Sequence, residues 1–172
     1  MTTHDDVVEE RRNFLYIATG AAGVVAAGAA AWPLIDQMNP SKDVLALSSI
    51  EVDLTKIPLG QNAVFLWRGN PVFVRHRTEA EIEEARAVDI SELADPEKDE
   101  DRVQKPEWLI ISAVCTHLGC VPLEHHGDFD GWLCPCHGSH YDISGRVTKG
   151  PAPLNLPVVP YEFLDDSTVR IG

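Results

Sequence analysis

Residues 115 to 141 read CTHLGCVPLEHHGDFDGWLCPCHGSHY, and this stretch holds all four cysteines of the 172-residue chain. It contains two short loops, 115–120 and 134–139. The first loop pairs a cysteine with a histidine as C-x-H and the second as C-x-x-H, and each loop has one further cysteine. Four thiols so close together in a chain are typical of metal binding, of disulfide formation, or of both.

Two kinds of metal site can use such side chains. A structural zinc ion accepts two cysteines and two histidines in a tetrahedron. A [2Fe–2S] cluster can instead take two cysteines on one iron and two histidines on the other, which is the Rieske arrangement. The ligand types alone do not choose between these two sites.

The two loops, C-T-H-L-G-C and C-P-C-H-G-S-x-Y, closely resemble the paired motifs of the Rieske proteins of quinol:cytochrome c oxidoreductases, the cytochrome bc-type complexes. A Gly-Pro-Ala-Pro stretch at 150–153 is similar to the proline loop of that family. The resemblance implies one [2Fe–2S] cluster whose ligands are Cys115, His117, Cys134 and His137. The two cysteines would bind the buried iron and the two histidines the outer iron. It also implies a disulfide between Cys120 and Cys136.

The same resemblance suggests roles for the neighbours of the ligands. Ser139 and Tyr141 stand where the family places hydroxyl donors to cluster sulfurs, and such hydrogen bonds raise a reduction potential. His137 would contact quinol and accept its proton. Shielding of the cluster and docking onto a partner are expected of Leu118, Gly119 and Pro151.

The N-terminal segment predicts one membrane-spanning helix. No charged residue occurs between Asn13 and Ile35, and 23 helical residues span about 35 Å, enough for a bilayer core of about 30 Å. We therefore predict a cytoplasmic tail at 1–12, a transmembrane helix at 13–36 and a flexible tether at 37–49. Arg11 and Arg12 resemble a twin-arginine export signal. Such a signal places the C-terminal domain on the periplasmic side of a bacterial inner membrane.

Residues 50–172 predict a small, mainly antiparallel β domain, with its cluster-binding part at about 112–155. Hydrophobic runs at 63–67 and 72–75 flank Arg68-Gly69-Asn70-Pro71, a pattern typical of a hairpin. One helix is expected to begin after Thr78, where Thr78-x-x-Glu81 fits a capping box, and to end by Ile90. A charged loop should follow to Pro106, which makes the whole segment a helix–loop insertion.

The charge of the chain is strongly negative and unevenly distributed. The net charge is −13, which argues against a nucleic-acid partner. Residues 79–101 contain eleven acidic residues against Arg86 and Lys98. The simplest interpretation is a solvated insertion, and the alternative is a docking surface for a basic partner. Among the histidines outside the predicted ligand set, His140 is expected to face solvent.

The function implied by the resemblance is one-electron transfer from quinol to a c-type cytochrome. The expected partners are cytochrome b-type and cytochrome c-type subunits, quinol and the membrane, in a dimeric complex. Two alternatives stay open at this point. One is the small Rieske subunit of an arsenite-oxidase-like enzyme, and the other is a membrane-anchored zinc-binding module. A thiol oxidoreductase built on Cys134-Pro135-Cys136 is disfavoured, because C-x-C lacks the C-x-x-C spacing.

Overall fold

A computed structural model describes residues 4–41, 48–126 and 130–172. The chain forms two compact units, residues 1–45 and 46–172. Residues 42–47 of the predicted tether and residues 1–3 of the predicted tail lie outside the described residues, as do residues 127–129.

The first unit contains a single helix in its described part, α1 (His4–Asp36). Residues Glu9–Asp36 have a mean hydropathy of 1.7 and present no buried surface, so this segment is long and apolar enough to cross a membrane. Pro33 lies within the last turn, and because proline has no N–H, one hydrogen bond near the end of the helix is not made. The helix begins within the predicted tail, so its charged N-terminal residues are helical as well.

The second unit is mainly antiparallel β, as predicted, and its described residues form three sheets. The first sheet contains β1 (Ile50–Asp53), β9 (Tyr161–Phe163) and β10 (Thr168–Ile171), with β10 in the middle. The second contains β2 (Asn62–Trp67), β3 (Asn70–His76) and β4 (Trp108–Ser112), with β3 in the middle. These two sheets enclose one hydrophobic core, which includes Val52, Val74, Ile110 and Val169.

The third sheet lies in the part of the domain that the sequence predicts to bind the cluster. It contains β5 (Leu123–Glu124), β6 (Trp132–Cys134), β7 (Ser139–Tyr141) and β8 (Val147–Lys149) in that order. A second core joins this sheet to the sheet of β2–β4, with Trp132 stacked on Phe73 at 5.5 Å between ring centroids. The loops around Cys115 and Cys134 are therefore attached to a packed framework on one side.

The β2–β3 hairpin has a shorter turn than the sequence predicted. Trp67 pairs with Asn70, so only Arg68 and Gly69 form the turn, and both have positive φ, 51° and 77°. Two such residues in succession give the turn a twist that matches the strands it joins. Pro71 lies inside β3, where its carbonyl accepts a hydrogen bond from the N–H of Ala113 at 2.9 Å.

The insertion begins with the predicted helix, α2 (Glu79–Ala87). The capping box forms as expected, because the hydroxyl of Thr78 accepts from the N–H of Glu81 and the carboxylate of Glu81 accepts from the N–H of Thr78. Beyond α2, the expected charged loop contains short 3-10 turns at Ile90–Glu92 and Asp99–Arg102.

The interpretation of the insertion as simply solvated is wrong for part of it. Asp99 and Arg102 are only 3% and 2% exposed. The guanidinium of Arg77 binds the Asp99 carboxylate with an Nη1–Oδ1 distance of 2.6 Å, and Ser144 donates to the same oxygen at 2.6 Å. Asp95, Glu97 and Asp99 thus bind arginines and polar groups within the domain, whereas Glu83, Glu84, Asp89 and Glu92 stay exposed.

The buried Arg77–Asp99 pair predicts acid sensitivity. Burial alone would raise the pKa of Asp99, but hydrogen bonds from Arg77 and Ser144 and the charges of Arg77 and Arg146 hold that pKa below its usual value. The carboxylate therefore contributes stability that is complete above the unfolded-state pKa of about 3.9 and is lost as the pH falls through the lower folded-state value. Asp99→Asn should cost about 3 kcal/mol near pH 7, because it leaves Arg77 without its charged partner.

That cost should shrink as the pH falls below about 4, since protonation removes the same charge from the parent chain. Denaturant unfolding of the full chain in detergent between pH 7 and pH 3 measures it. Asp89→Asn is the control, because Asp89 is an exposed acid whose side chain accepts from the N–H and the hydroxyl of Ser91 within its own turn. An equal and pH-independent cost for both variants would contradict the prediction.

Candidate metal centre

Two loops of similar construction form the candidate metal centre. The first follows β4 and closes through hydrogen bonds from Gly119 N–H to the Cys115 carbonyl, 2.9 Å, and from Cys115 N–H to the Cys120 carbonyl, 2.8 Å. The second joins β6 to β7 and closes through Gly138 N–H to the Cys134 carbonyl, 3.0 Å. Gly119 and Gly138 have φ of 82° and 72°, a backbone conformation that favours glycine.

A disulfide joins the two loops. It links Cys120 to Cys136, sixteen residues apart, as the resemblance implied. The sulfurs of Cys120, Cys134 and Cys136 lie within 4.8 Å of one another. Cys120 and Cys136 form the disulfide, so of these three cysteines only Cys134 is available as a thiolate ligand.

The four predicted ligands lie in the two joined loops, with the two cysteines more deeply buried than the two histidines. Cys115 and Cys134 are free thiols, each only 2% exposed. His117 is half-buried and His137 is exposed, and their rings meet edge to face with centroids 4.7 Å apart. Two inner thiols beside two outer imidazoles suit a two-iron cluster in which each iron takes a different pair of ligands.

Hydrogen bonding favours the charged form of one inner thiol. Burial would raise the pKa of Cys115, but hydrogen bonds from Tyr141, from backbone at His117, and from Cys134 and Ser139 lower it overall. The phenol of Tyr141 donates to Cys115 Sγ at 3.2 Å. Burial and the contact with Cys115 raise the pKa of Tyr141 to about 12, so the phenol keeps its proton and remains a donor. The pKa of Cys134 is raised, chiefly by burial and also by the neighbouring Cys115 sulfur.

A third segment, the proline loop at 150–156, packs against both ligand loops. A Cβ added to Gly150 would lie 2.5 Å from the Gly138 carbonyl oxygen and 2.6 Å from Ser139 Cα, so only glycine allows this approach. Ala152 N–H donates to Ser139 Oγ at 3.1 Å, and Thr116 Oγ1 donates to the Leu154 carbonyl at 2.6 Å. Both Ser139 and the segment next to Cys115 are thereby held by the same loop.

Residues predicted to shield the centre lie at its outer side. Leu118 is 70% exposed at the tip of the first loop, next to Gly119, and Pro151 is exposed on the proline loop. Sequence reasoning missed Thr116, whose backbone N–H and hydroxyl both contact the Tyr141 hydroxyl at 3.3 Å. The one feature of the sequence that could have indicated Thr116 is its position between the predicted ligands Cys115 and His117.

One prediction about the histidines is wrong. His140 is 9% exposed rather than solvent-facing: all three residues of β7 are buried, so side chains on both faces of this strand are covered. His76 stacks on Trp108 with a centroid distance of 4.0 Å, and its Nδ1 lies 2.9 Å from the Ile57 carbonyl oxygen. His125 is exposed, with Nδ1 3.0 Å from the Asp130 carboxylate.

Two family descriptions match almost the whole chain. Residues 49–160 match the "Rieske [2Fe-2S] domain". Residues 1–41 match the "Ubiquitinol-cytochrome C reductase Fe-S subunit TAT signal". The second match agrees with the expected export signal and apolar helix at the N-terminus.

Similar proteins carry the same designation. A "Ubiquinol-cytochrome c reductase iron-sulfur subunit" of Rhodospirillum rubrum is 60% identical, covering 94% of this chain and 91% of the relative. A protein of the same designation from Blastochloris viridis is 52% identical, and the match covers 100% of this chain and 98% of the relative. A solved structure titled "Hyperthermophilic respiratory Complex III" contains a chain 28% identical with a TM-score of 0.56, covering 90% of this chain and 98% of that one. The chain therefore belongs to the family of Rieske [2Fe–2S] iron–sulfur subunits of ubiquinol–cytochrome c reductases.

Proposed function

We propose that the chain is the one-electron carrier of a cytochrome bc1-type complex and that Cys115, Cys134, His117 and His137 hold its [2Fe–2S] cluster. The two buried thiols would bind the inner iron and the two outer imidazoles the exposed one. The observation that supports this most directly is the division of the four side chains by depth, with a disulfide joining their loops.

When bound, the cluster supplies a one-electron acceptor of higher potential than a plant-type ferredoxin, about −150 to +300 mV against about −400 mV, since neutral imidazoles replace two thiolates. Tyr141 stabilises added negative charge by donating to Cys115 Sγ. Ser139 accepts from Ala152 N–H, which leaves its single O–H to donate toward the sulfurs. These two donors are proposed to tune the potential.

Loss of either hydroxyl should lower the midpoint potential. One hydrogen bond of about 1 kcal/mol corresponds to roughly 40 mV for a one-electron couple, so Tyr141→Phe and Ser139→Ala should each shift the potential downward by that order. Redox titration of the assembled complex, followed by electron paramagnetic resonance of the reduced cluster, measures the shift. Tyr161→Phe removes a hydroxyl that contacts Gln104 N–H and serves as the control. Potentials unchanged in both test variants would refute the tuning role.

His137 is proposed to contact quinol, because its imidazole is the exposed member of the ligand set. Its second ring nitrogen can accept the quinol hydrogen bond and proton as the electron leaves. Leu118, Gly119 and Pro151 surround the outer side of the centre and would exclude water while docking onto the cytochrome b-type subunit. The electron would then pass to the cytochrome c-type subunit, within a dimeric complex.

The docking role of Leu118 predicts a selective defect. Leu118→Asp places a charge on an apolar contact surface, so quinol-driven reduction of the cluster should slow by tenfold or more, about 1.4 kcal/mol or above. Leu59→Asp is the matched control, because Leu59 is also largely exposed, at 61%, but lies before β2 and outside the centre. The complex is mixed anaerobically with ubiquinol. Electron paramagnetic resonance then gives the rate of cluster reduction, and absorbance gives the rate of cytochrome c reduction.

A cluster that dithionite reduces but ubiquinol does not reduce in the parent complex would contradict the proposed function itself. Equal slowing in the two leucine variants would contradict only the role of Leu118.

The compartment is proposed from the disulfide and the N-terminus. Disulfides persist on the oxidising side of a bacterial membrane, and the arginine pair at 11–12 would stay in the cytoplasm. We therefore propose that the soluble domain lies on the periplasmic side of the inner membrane, anchored by a single span. The named relatives support the quinol complex over an arsenite-oxidase-like subunit and over a zinc-binding module.

A further inference from the structure

The proline loop connects the metal centre to the acidic insertion. Its inner side holds the two hydroxyl donors, through Ala152 N–H to Ser139 Oγ and through the Leu154 carbonyl to Thr116, which contacts the Tyr141 hydroxyl. Its far end is Asn155, which is 4% exposed. The position of this loop therefore bears on both donors at once.

Asn155 uses each of its polar groups to fix that far end. Its backbone N–H donates to Asp95 Oδ2 at 2.9 Å. Its side-chain amide donates to the Asp95 carbonyl at 3.0 Å and to Glu97 Oε2 at 3.1 Å. Its Oδ1 accepts from Val147 N–H at 2.9 Å. Three of these four bonds reach the insertion, and none reaches a predicted ligand.

Neighbouring contacts tie the same end to the same segment. Arg102, which is buried, donates to the Leu156 carbonyl at 2.5 Å and to the Ser144 carbonyl at 2.8 Å. The insertion thus supports the far end of the loop through Asp95, Glu97 and Arg102. The hydrogen bonds that Asn155 donates to carboxylate oxygens of Asp95 and Glu97 are charge-assisted and therefore stronger than neutral ones, which suits a positioning role.

We propose that Asp95 and Asn155 are positioning residues for the redox centre: they fix the proline loop, and the loop holds Ser139 and, through Thr116, Tyr141 in their hydrogen-bonding positions. This inference rests on the proposed tuning role of Tyr141 and Ser139. It gives part of the acidic insertion a function in setting the reduction potential, in place of a function in docking.

The test is a redox titration of the assembled complex carrying Asn155→Ala. The midpoint potential should shift downward by less than it does in Tyr141→Phe, and the resonance spectrum of the reduced cluster should change with it. Asp95→Ala is the milder variant, because the backbone carbonyl of residue 95 still accepts from Asn155, and it should show a smaller shift in the same direction. Asp89→Ala, an exposed acid of the same insertion, is the control and should show no shift.

A second measurement separates positioning from general loosening. In a Tyr141→Phe, Ser139→Ala background, Asn155→Ala should cause no further downward shift, because the donors it positions are gone. An undiminished shift in that background would overturn the inference, as would lower thermal stability with an unchanged potential. If Tyr141→Phe and Ser139→Ala are themselves silent, the proposed tuning fails. If they lower the potential while Asn155→Ala and Asp95→Ala do not, only the positioning role fails.

Discussion

Cys134→Ser is expected to abolish the cluster. Cys134 is 2% exposed, and its thiol shares a buried space with the thiol of Cys115, so an iron bound there has few other donors within reach. A serine hydroxyl is a poor replacement, because the thiolate is the ligand that iron–sulfur clusters prefer. Purified complex should lose nearly all acid-labile sulfide and the resonance signal of the reduced cluster, and with them all quinol-driven cytochrome c reduction.

The imidazole pair allows a sharper comparison. His137→Gln should cause the same loss as Cys134→Ser, whereas His125→Gln should retain the signal. His125 is also exposed, but its ring lies beside Asp130 and outside both ligand loops. A Cys134→Ser variant with a full signal would contradict the proposed ligand set. A His125→Gln variant without a signal would show that another histidine is required.

Loss of the disulfide is expected to have the next largest effect. Replacing Cys120 and Cys136 together by alanine frees two loops that are joined across sixteen residues. Chain-entropy arguments give about 3 kcal/mol for a cross-link of this length. The free energy of unfolding of the full chain should fall by about that amount, and the cluster should be released at a lower temperature.

The variant without the disulfide keeps all four proposed ligands, so some cluster should assemble at low temperature. That outcome distinguishes the disulfide variant from Cys134→Ser, in which none should assemble. Val121→Ala, a change beside Cys120 that leaves the cross-link intact, is the control. An unfolding free energy equal to that of the parent chain would contradict the clamp role of the disulfide.

The chemistry of the centre was readable from short spacings. C-x-H, C-x-x-H and the extra cysteine of each loop lie within a few residues, and the glycines at 119 and 138 permit the turns that close both loops. The capping box at Thr78 was predictable for the same reason, because its partners are three residues apart. Local geometry depends on residues that are close in the chain, so it can be predicted from a single sequence.

The fate of the charged residues could not be predicted in this way. Asp99 is buried because it binds Arg77 and Ser144, which lie 22 and 45 residues away from it in the chain. Nothing in the acidic run indicates either partner. His140 was expected to face solvent because it alternates with Ser139 and Tyr141, but all three residues of β7 are buried, so the packing covers both faces of the strand. In both cases a contact between distant segments decides the burial.

The sequence by itself determined the kinds of ligands, the two loops that present them, the apolar helix and the mainly antiparallel fold. Only the tertiary structure decided that Asp99 and His140 are buried, and how the proline loop ties the two hydroxyl donors to Asp95. The physical reason is that ligand type and turn geometry follow from residues close in the chain. Depth, desolvation and hydrogen bonds across sixty residues are set by how the sheets and the insertion pack.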